Sequence, residues 1–122
     1  MLVSVLVADS DIMRRAIVSL LKDREGIAVV GEASTLPETI QKNLELHPDV
    51  IVLDLRIPEK NGFGLKFGAR VLATSLNIDD ESRLLAENIG AEKLFDKMDL
   101  VDCLIPTILS DAPLADAVPR IL

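Results

Sequence analysis

Pro48-Asp49-Val50-Ile51-Val52-Leu53-Asp54 decides the fold. Its middle is a continuous apolar run, rich in β-branched residues and too short for a helix, and it stops abruptly on a carboxylate. A run of this kind reads as a strand covered on both faces, the habit of a parallel sheet. In open parallel sheets, ligands and chemistry collect just beyond the carboxyl ends of the strands. Packing offers Asp54 no reason to stand at that point, and the residue is read as part of a site.

The alternation continues outward from this strand. Residues 2–8 form a first apolar strand, followed by Asp9-Ser10-Asp11, which supplies N-caps for a helix over residues 12–22. In that helix Ile12, Ala16, Leu20 and Met13, Ile17, Leu21 recur at helical spacing. Gly26 ends the unit. Residues 27–33 read as a second strand, and Ser34 or Thr35 caps a helix with Pro37 near its first turn. That helix passes through Ile40 and Leu44 and stops at His47-Pro48, where His47 is read as a C-terminal cap. Residues 50–53, 70–73 and 93–95 are the third, fourth and fifth strands. A helix over residues 79–89 is closed by Gly90, and a last helix spans residues 100–109, with Cys103 read as core. This order predicts an α/β fold, an open doubly wound parallel sheet with right-handed crossovers. Strands one and three then lie side by side at the topological switch point, which sets Asp9 beside Asp54.

One crossover is short. Residues 55–70 leave about sixteen positions between two strands, barely above the ~10–12 that a βαβ crossover needs. Part of the stretch is the loop Arg56-Ile57-Pro58-Glu59-Lys60-Asn61-Gly62, and the rest contains Gly64 and Gly68. The third helix is therefore expected to be truncated or missing. Its loss is expected to uncover apolar sheet surface, a place for a partner, a second copy or an exchanged segment.

Composition narrows the function classes. The 122 residues are enough for one core without disulfide or metal staples. Residues 1–110 are expected to form the domain, and residues 111–122, with Pro113 and Pro119, a tail or linker. A formal net charge of -7 argues against nucleic-acid binding by this segment alone, since phosphate contacts need clustered Lys and Arg. A single cysteine permits no internal disulfide and fits a reducing compartment. Residues 1–7 lack the pattern of a signal peptide, and no apolar run approaches the ~18 residues of a membrane span. A cytoplasmic protein is expected. No Gly-rich phosphate loop, Cys/His cluster or nucleophile–base pair points to a metabolic enzyme.

Two nearby carboxylates repel unless a cation joins them. A hard divalent cation such as Mg²⁺ takes oxygen ligands and keeps several waters. The plainer alternative is that Asp9 or Asp11 only caps the first helix, a role read more readily for Asp11.

The pattern Val50-Ile51-Val52-Leu53-Asp54-x-x-x-Pro58-x-x-x-Gly62 resembles the phospho-acceptor segment of response-regulator receiver domains. The resemblance covers about residues 2–110 and takes in Asp9, Thr74 or Ser75, and Lys97, with Met13-Arg14-Arg15 and Gly90-Ala91 in support. Met98, where proline is frequent, resembles the branch whose receivers precede helix-turn-helix output domains and act in transcription regulation. The likeness implies a flavodoxin-like fold with strand order 2-1-3-4-5. It implies a phosphorylation-controlled signalling switch of a two-component system, in which Asp54 accepts a phosphoryl group from a histidine kinase or a small phosphodonor. Asp9, Asp54 and the backbone carbonyl of Arg56 would hold Mg²⁺. Lys97 would pair with Asp54 or a phosphate oxygen, and the Thr74 or Ser75 hydroxyl would bind the phosphate. Any catalysis would be limited to the domain's own phosphoryl transfer and dephosphorylation.

Two positions depart from the pattern. One of the family's two adjacent strand-one acids is replaced, by Ala8 when Met13-Arg14 and Leu20-Leu21 are aligned, which implies weaker Mg²⁺ binding. The switch position normally held by an aromatic is Leu94. These departures favour the alternative reading, a degenerate receiver that is not phosphorylated and works as a dimerisation or scaffolding module.

Overall fold

A computed structural model describes residues 2–58 and 64–110. Gly62 and the tail at residues 111–122 lie outside the described residues. The strands are β1 (Val3–Ala8), β2 (Ile27–Ala33), β3 (Val50–Asp54), β4 (Arg70–Ser75) and β5 (Lys93–Asp96). The helices are α1 (Asp11–Lys22), α2 (Leu36–Leu46), α3 (Asp80–Asn88) and α4 (Leu100–Leu109), with a single 3-10 turn at Lys97–Asp99 joining β5 to α4. All strand pairs are parallel and the order is β2-β1-β3-β4-β5, as the alternation and the resemblance predict.

β3 is the centre of the molecule, and Val50, Ile51, Val52 and Leu53 are essentially inaccessible to solvent. Burying side chains of this size contributes roughly 1.5–3 kcal/mol each. Successive residues point to opposite faces. Val50 and Val52 join Val5, Val7, Leu72 and Phe95 in a core completed by Ile17 and Leu21 of α1 and Leu100, Leu104 and Ile108 of α4. Ile51 and Leu53 join Leu6, Ala8, Val71 and Ala73 in a second core, against Leu85 and Ala86 of α3. β2 bulges against β1 between Val5 and Leu6, and opposite Leu6 stands Gly31. A Cβ there would lie 2.7 Å from Leu46 Cδ1, so any larger residue would require that exposed side chain to move aside.

Local signals set the helix ends. Thr35 is the cap of α2, accepting from the Glu38 N–H at 3.2 Å, and His47 closes that helix in the left-handed region with φ 46°. Asp79 and Ser82 form a reciprocal capping box on α3. Asp11 does not cap α1. The N-cap is Ser10, whose side chain makes no cap bond, and Asp11 in the first turn instead pairs with Arg14 at 2.8 Å.

Three further expectations need correction. β4 runs two residues beyond the apolar register, through Thr74 and Ser75, because pairing with Asp54 and Asp96 continues. Cys103 is exposed rather than core: α4 buries Leu100, Leu104 and Ile108, a stripe at four-residue spacing that Cys103 lies outside. Among the described residues, the short third crossover does not leave the sheet beneath it uncovered. No helix occurs among the described residues of 55–69, yet Ile51, Leu53, Val71 and Ala73 are buried. Ile57, Leu65, Phe67 and Ala69 pack onto them, an irregular segment doing the covering of a helix. Asn43 of α2 anchors it by donating to the Phe67 carbonyl at 2.8 Å. Among the described residues no helix is long and apolar enough to cross a membrane.

Candidate functional site

The sheet order brings Asp9, at the end of β1, beside Asp54, at the end of β3, and Lys97 reaches both from the turn after β5. Lys97 Nζ lies 3.0 Å from Asp9 Oδ1 and 3.1 Å from Asp54 Oδ2. All three side chains are almost fully buried, Lys97 with only 2% exposed. A buried lysine between two buried carboxylates is a costly arrangement unless each charge is met. Lys97 is therefore part of the site and not an ordinary solvated lysine.

Backbone groups hold the carboxylates in place. The Ser10 N–H donates to Asp9 Oδ1 at 2.6 Å. The Arg56 N–H donates to Asp54 Oδ1 at 3.1 Å, an Asx-type contact in the turn that leaves β3. Burial chiefly, and then the neighbouring Asp54, push the Asp9 carboxyl above its ordinary value despite Lys97 and the Ser10 N–H. Burial also presses Asp54 upward, but the Arg56 backbone N–H, Asp9 and Lys97 outweigh it and hold Asp54 below the ordinary carboxylate value. Of the two, Asp54 is the one whose ionised form the surroundings favour, which suits a nucleophile.

Two buried polar atoms have no hydrogen-bond partner among the described residues, Asp9 Oδ2 and Thr74 Oγ1. Native interiors seldom leave such atoms unmet, and each marks a place where a group outside the chain could bind. The two candidate hydroxyls differ here. Thr74 is fully buried and pairs in register with Asp54. Ser75 is half-buried and its hydroxyl is engaged by Asn77, donating to the Asn77 carbonyl at 2.8 Å. Leu94 is half-buried on the opposite face of the sheet from Phe95 and packs into the second core.

The residues that hold the acids also reach beyond what the sequence suggests. Arg56 contributes its side chain as well as its backbone: Nε and a terminal nitrogen both lie 3.2 Å from Asp54 Oδ2. A basic residue two positions after an Asx-turn aspartate was the signal available. Arg14 lies behind Asp9, bonded to Glu32 at 2.9 Å and Asp11 at 2.8 Å, so Asp11 is exposed and committed to Arg14 rather than to the site. No cluster of three or more His, Cys, Asp or Glu side chains suited to hold a metal occurs among the described residues. The donor set is two carboxylates, one with an unmet buried oxygen. Such a set fits a hard divalent cation that keeps most of its waters.

Comparison with known proteins agrees with this geometry. The chain is 33% identical over 93 residues to the protein-glutamate methylesterase/protein-glutamine glutaminase 3 of Geobacter sulfurreducens, covering 71% of this chain and 25% of that protein. It is 42% identical over 60 residues to the DNA-binding transcriptional activator DevR/DosR of Mycobacterium tuberculosis, covering 49% and 28%. The chain spans between 15% and 30% of the length of such curated relatives. In fold it is similar to the response regulator domain of Thermotoga maritima CheB, with a TM-score of 0.72 at 24% identity over 88% of this chain and 94% of that one. The receiver domain of NarL from Mycobacterium tuberculosis gives 0.69 at 23% identity, covering 90% and 98%. Residues 5–100 match the response regulator receiver domain family, whose members are response regulators of two-component systems, and with the sheet order and the buried acid–lysine rim this places the chain in that family.

Proposed function

We propose that Asp54 is the phospho-acceptor of a signalling switch, taking a phosphoryl group from a histidine kinase or a small phosphodonor. The observation that carries this reading is the buried Lys97 shared by Asp9 and Asp54 at 3.0 and 3.1 Å. In the transfer, an Asp54 carboxylate oxygen forms a bond to phosphorus as the donor's phosphorus–nitrogen or phosphorus–oxygen bond breaks. The leaving group departs with that electron pair, a histidine nitrogen taking up a proton from water and a carboxylate leaving as the anion. Such transfers depend on positioning and on neutralising charge over the phosphoryl oxygens. Lys97 supplies one positive charge at the rim. The unmet Thr74 hydroxyl, in register beside Asp54, donates to a phosphoryl oxygen; Ser75 is set aside because Asn77 already engages it.

Asp9, Asp54 and the Arg56 carbonyl would hold Mg²⁺, which when bound neutralises charge on the phosphoryl oxygens. Drawing Thr74 toward the phosphate biases a pre-existing equilibrium and alters the surface of α3 and β5. Residues 1–110 form the receiver and residues 111–122 lead toward an output that we read as transcriptional, as in the relatives named for it. A cytoplasmic location suits a partner kinase that draws on ATP.

The test is intact-mass analysis after treatment with acetyl phosphate and Mg²⁺. A single phosphoryl adduct is expected, lost in Asp54→Ala and lost without the metal. Absence of any adduct on a folded protein overturns the reading. It would favour the same fold acting as an unphosphorylated scaffold, the reading to which Leu94 and Ala8 lend weight.

A further inference from the structure

We infer that the Arg56 guanidinium is a built-in counter-cation on Asp54, which competes with a divalent cation for the carboxylate and so lowers the metal affinity of the site. This rests on the proposed role of Asp54. Three donors converge on Asp54 Oδ2: Lys97 Nζ at 3.1 Å, and Arg56 Nε and a second guanidinium nitrogen at 3.2 Å. Oδ1 is occupied by the Arg56 N–H at 3.1 Å. Oδ2 thus carries three donors, more than its two lone pairs serve well, and Oδ1 keeps one lone pair open, so a cation that engages Oδ2 competes directly with Arg56.

The two cations differ in how firmly they are held. Lys97 is 2% exposed and also bonded to Asp9, whereas Arg56 is 59% exposed and its side chain has only Asp54 as an ion-pair partner among the described residues. Arg56 is therefore the group that moves. It lines a groove of about 530 Å³ beside Ser75, Leu76 and Leu84, which gives the freed side chain room. Formal charge gives the arrangement its logic. With Ala8 where the family carries an acid, two carboxylates remain, and Lys97 and Arg56 match them one for one. A site balanced in this way has less need of a divalent cation and binds it more weakly.

The experiment titrates the full chain with MgCl₂ alone, following the backbone amide resonances of Ser10, Leu55 and Arg56. Arg56→Gln is expected to bind Mg²⁺ roughly fivefold more tightly than the parent, the scale of a partly exposed ion pair, with the gap closing as salt is raised. Arg56→Lys keeps the charge and is expected to stay within about twofold of the parent. A role that merely braced the loop would make Arg56→Gln bind more weakly, and equal or weaker binding overturns the inference while leaving the cation site standing. No response at these amides in any variant overturns the cation site itself, and the inference with it.

Discussion

The two ends of the sheet use the same kinds of side chain to opposite effect. At the amino rim, Asp49 Oδ2 accepts from the Ser4 N–H and hydroxyl at 2.9 and 3.1 Å, and Ser4 Oγ accepts from the Asp49 N–H at 2.9 Å. Arg70 meets both oxygens of Glu92 at 2.8 and 2.9 Å and caps the end of α4 through the Thr107 and Ile108 carbonyls. At the carboxyl rim, Asp9, Asp54, Thr74 and Lys97 are far more deeply buried, yet Asp9 Oδ2 and Thr74 Oγ1 are left without partners. Selection for stability alone would do the reverse, since an unmet polar atom costs most where water is absent. The amino rim clamps the strands together. The carboxyl rim is held ready for something that arrives.

The largest effect should come from removing the shared cation. Lys97→Met leaves Asp9 and Asp54 facing each other in a buried site, and losing one partner of a buried ionic cluster costs about 3–5 kcal/mol. The matching cut at the amino rim, Arg70→Met, leaves a Glu92 that is 40% exposed and can be solvated, so a loss of about 1–2 kcal/mol is expected. Urea unfolding at neutral pH measures both. Equal losses would erase the distinction between the rims.

Much of this contrast is legible in the sequence, and the exceptions have physical causes. Val50–Leu53 and the strand-end positions of Asp9 and Asp54 carry the sheet and its acid rim because short apolar runs and strand-end carboxylates have few other uses, whereas Lys97 enters only through the resemblance to receiver domains. The covering of the third crossover is not legible as a helix would be. Leu65, Phe67 and Ala69 alternate like a strand but join no strand among the described residues, so their packing against the second core depends on where the chain happens to lie. Thr74 and Ser75 are equivalent by composition, and only the register of β4 against β3 separates the buried hydroxyl from the engaged one. The side chain of Arg56 is a rotamer choice made by the folded site. Cys103 looks apolar in sequence, but the stripe of Leu100, Leu104 and Ile108 fixes which face of α4 is inside.

pH should move Glu92 of the amino rim and Asp9 of the carboxyl rim in opposite directions, while Asp54, held below the ordinary carboxylate value, follows Glu92. Arg70 bonds Glu92 and holds its carboxyl below the ordinary 4.5. That stability is present above the unfolded value and is lost as pH falls through the lower folded one. Asp9 is raised above 3.8, chiefly by burial. The folded state then keeps a proton that the unfolded chain has released, so stability falls as pH climbs from the unfolded value to the folded one. In metal-free buffer, Asp9→Asn should therefore gain on the order of 1 kcal/mol at neutral pH and nothing in acid. Glu92→Gln should lose only a few tenths of a kcal/mol at neutral pH, because solvent screens a half-exposed pair. Denaturation midpoints collected across the acid range report both slopes, and slopes of the same sign would contradict the assignment of the rims.

The finest comparison sets one hydroxyl against another. Ser4 Oγ donates to Asp49 and accepts from its N–H, so Ser4→Ala removes two bonds, although the Asp49 N–H keeps the Ser4 carbonyl at 3.0 Å; a loss of roughly 0.5–1 kcal/mol is expected. Thr74 Oγ1 is buried with no partner, so Thr74→Val replaces an unmet hydroxyl by a methyl of the same shape. Removing a polar group that makes no bond is neutral or stabilising, by up to about 1 kcal/mol. Thr74→Val should thus stand level with the parent or above it in a urea melt while Ser4→Ala stands below. The same pair then separates stability from signalling. After acetyl phosphate and Mg²⁺, amide shifts in α3 and β5 should persist in Ser4→Ala and fade in Thr74→Val, because only Thr74 has a hydroxyl left over to give a phosphoryl oxygen.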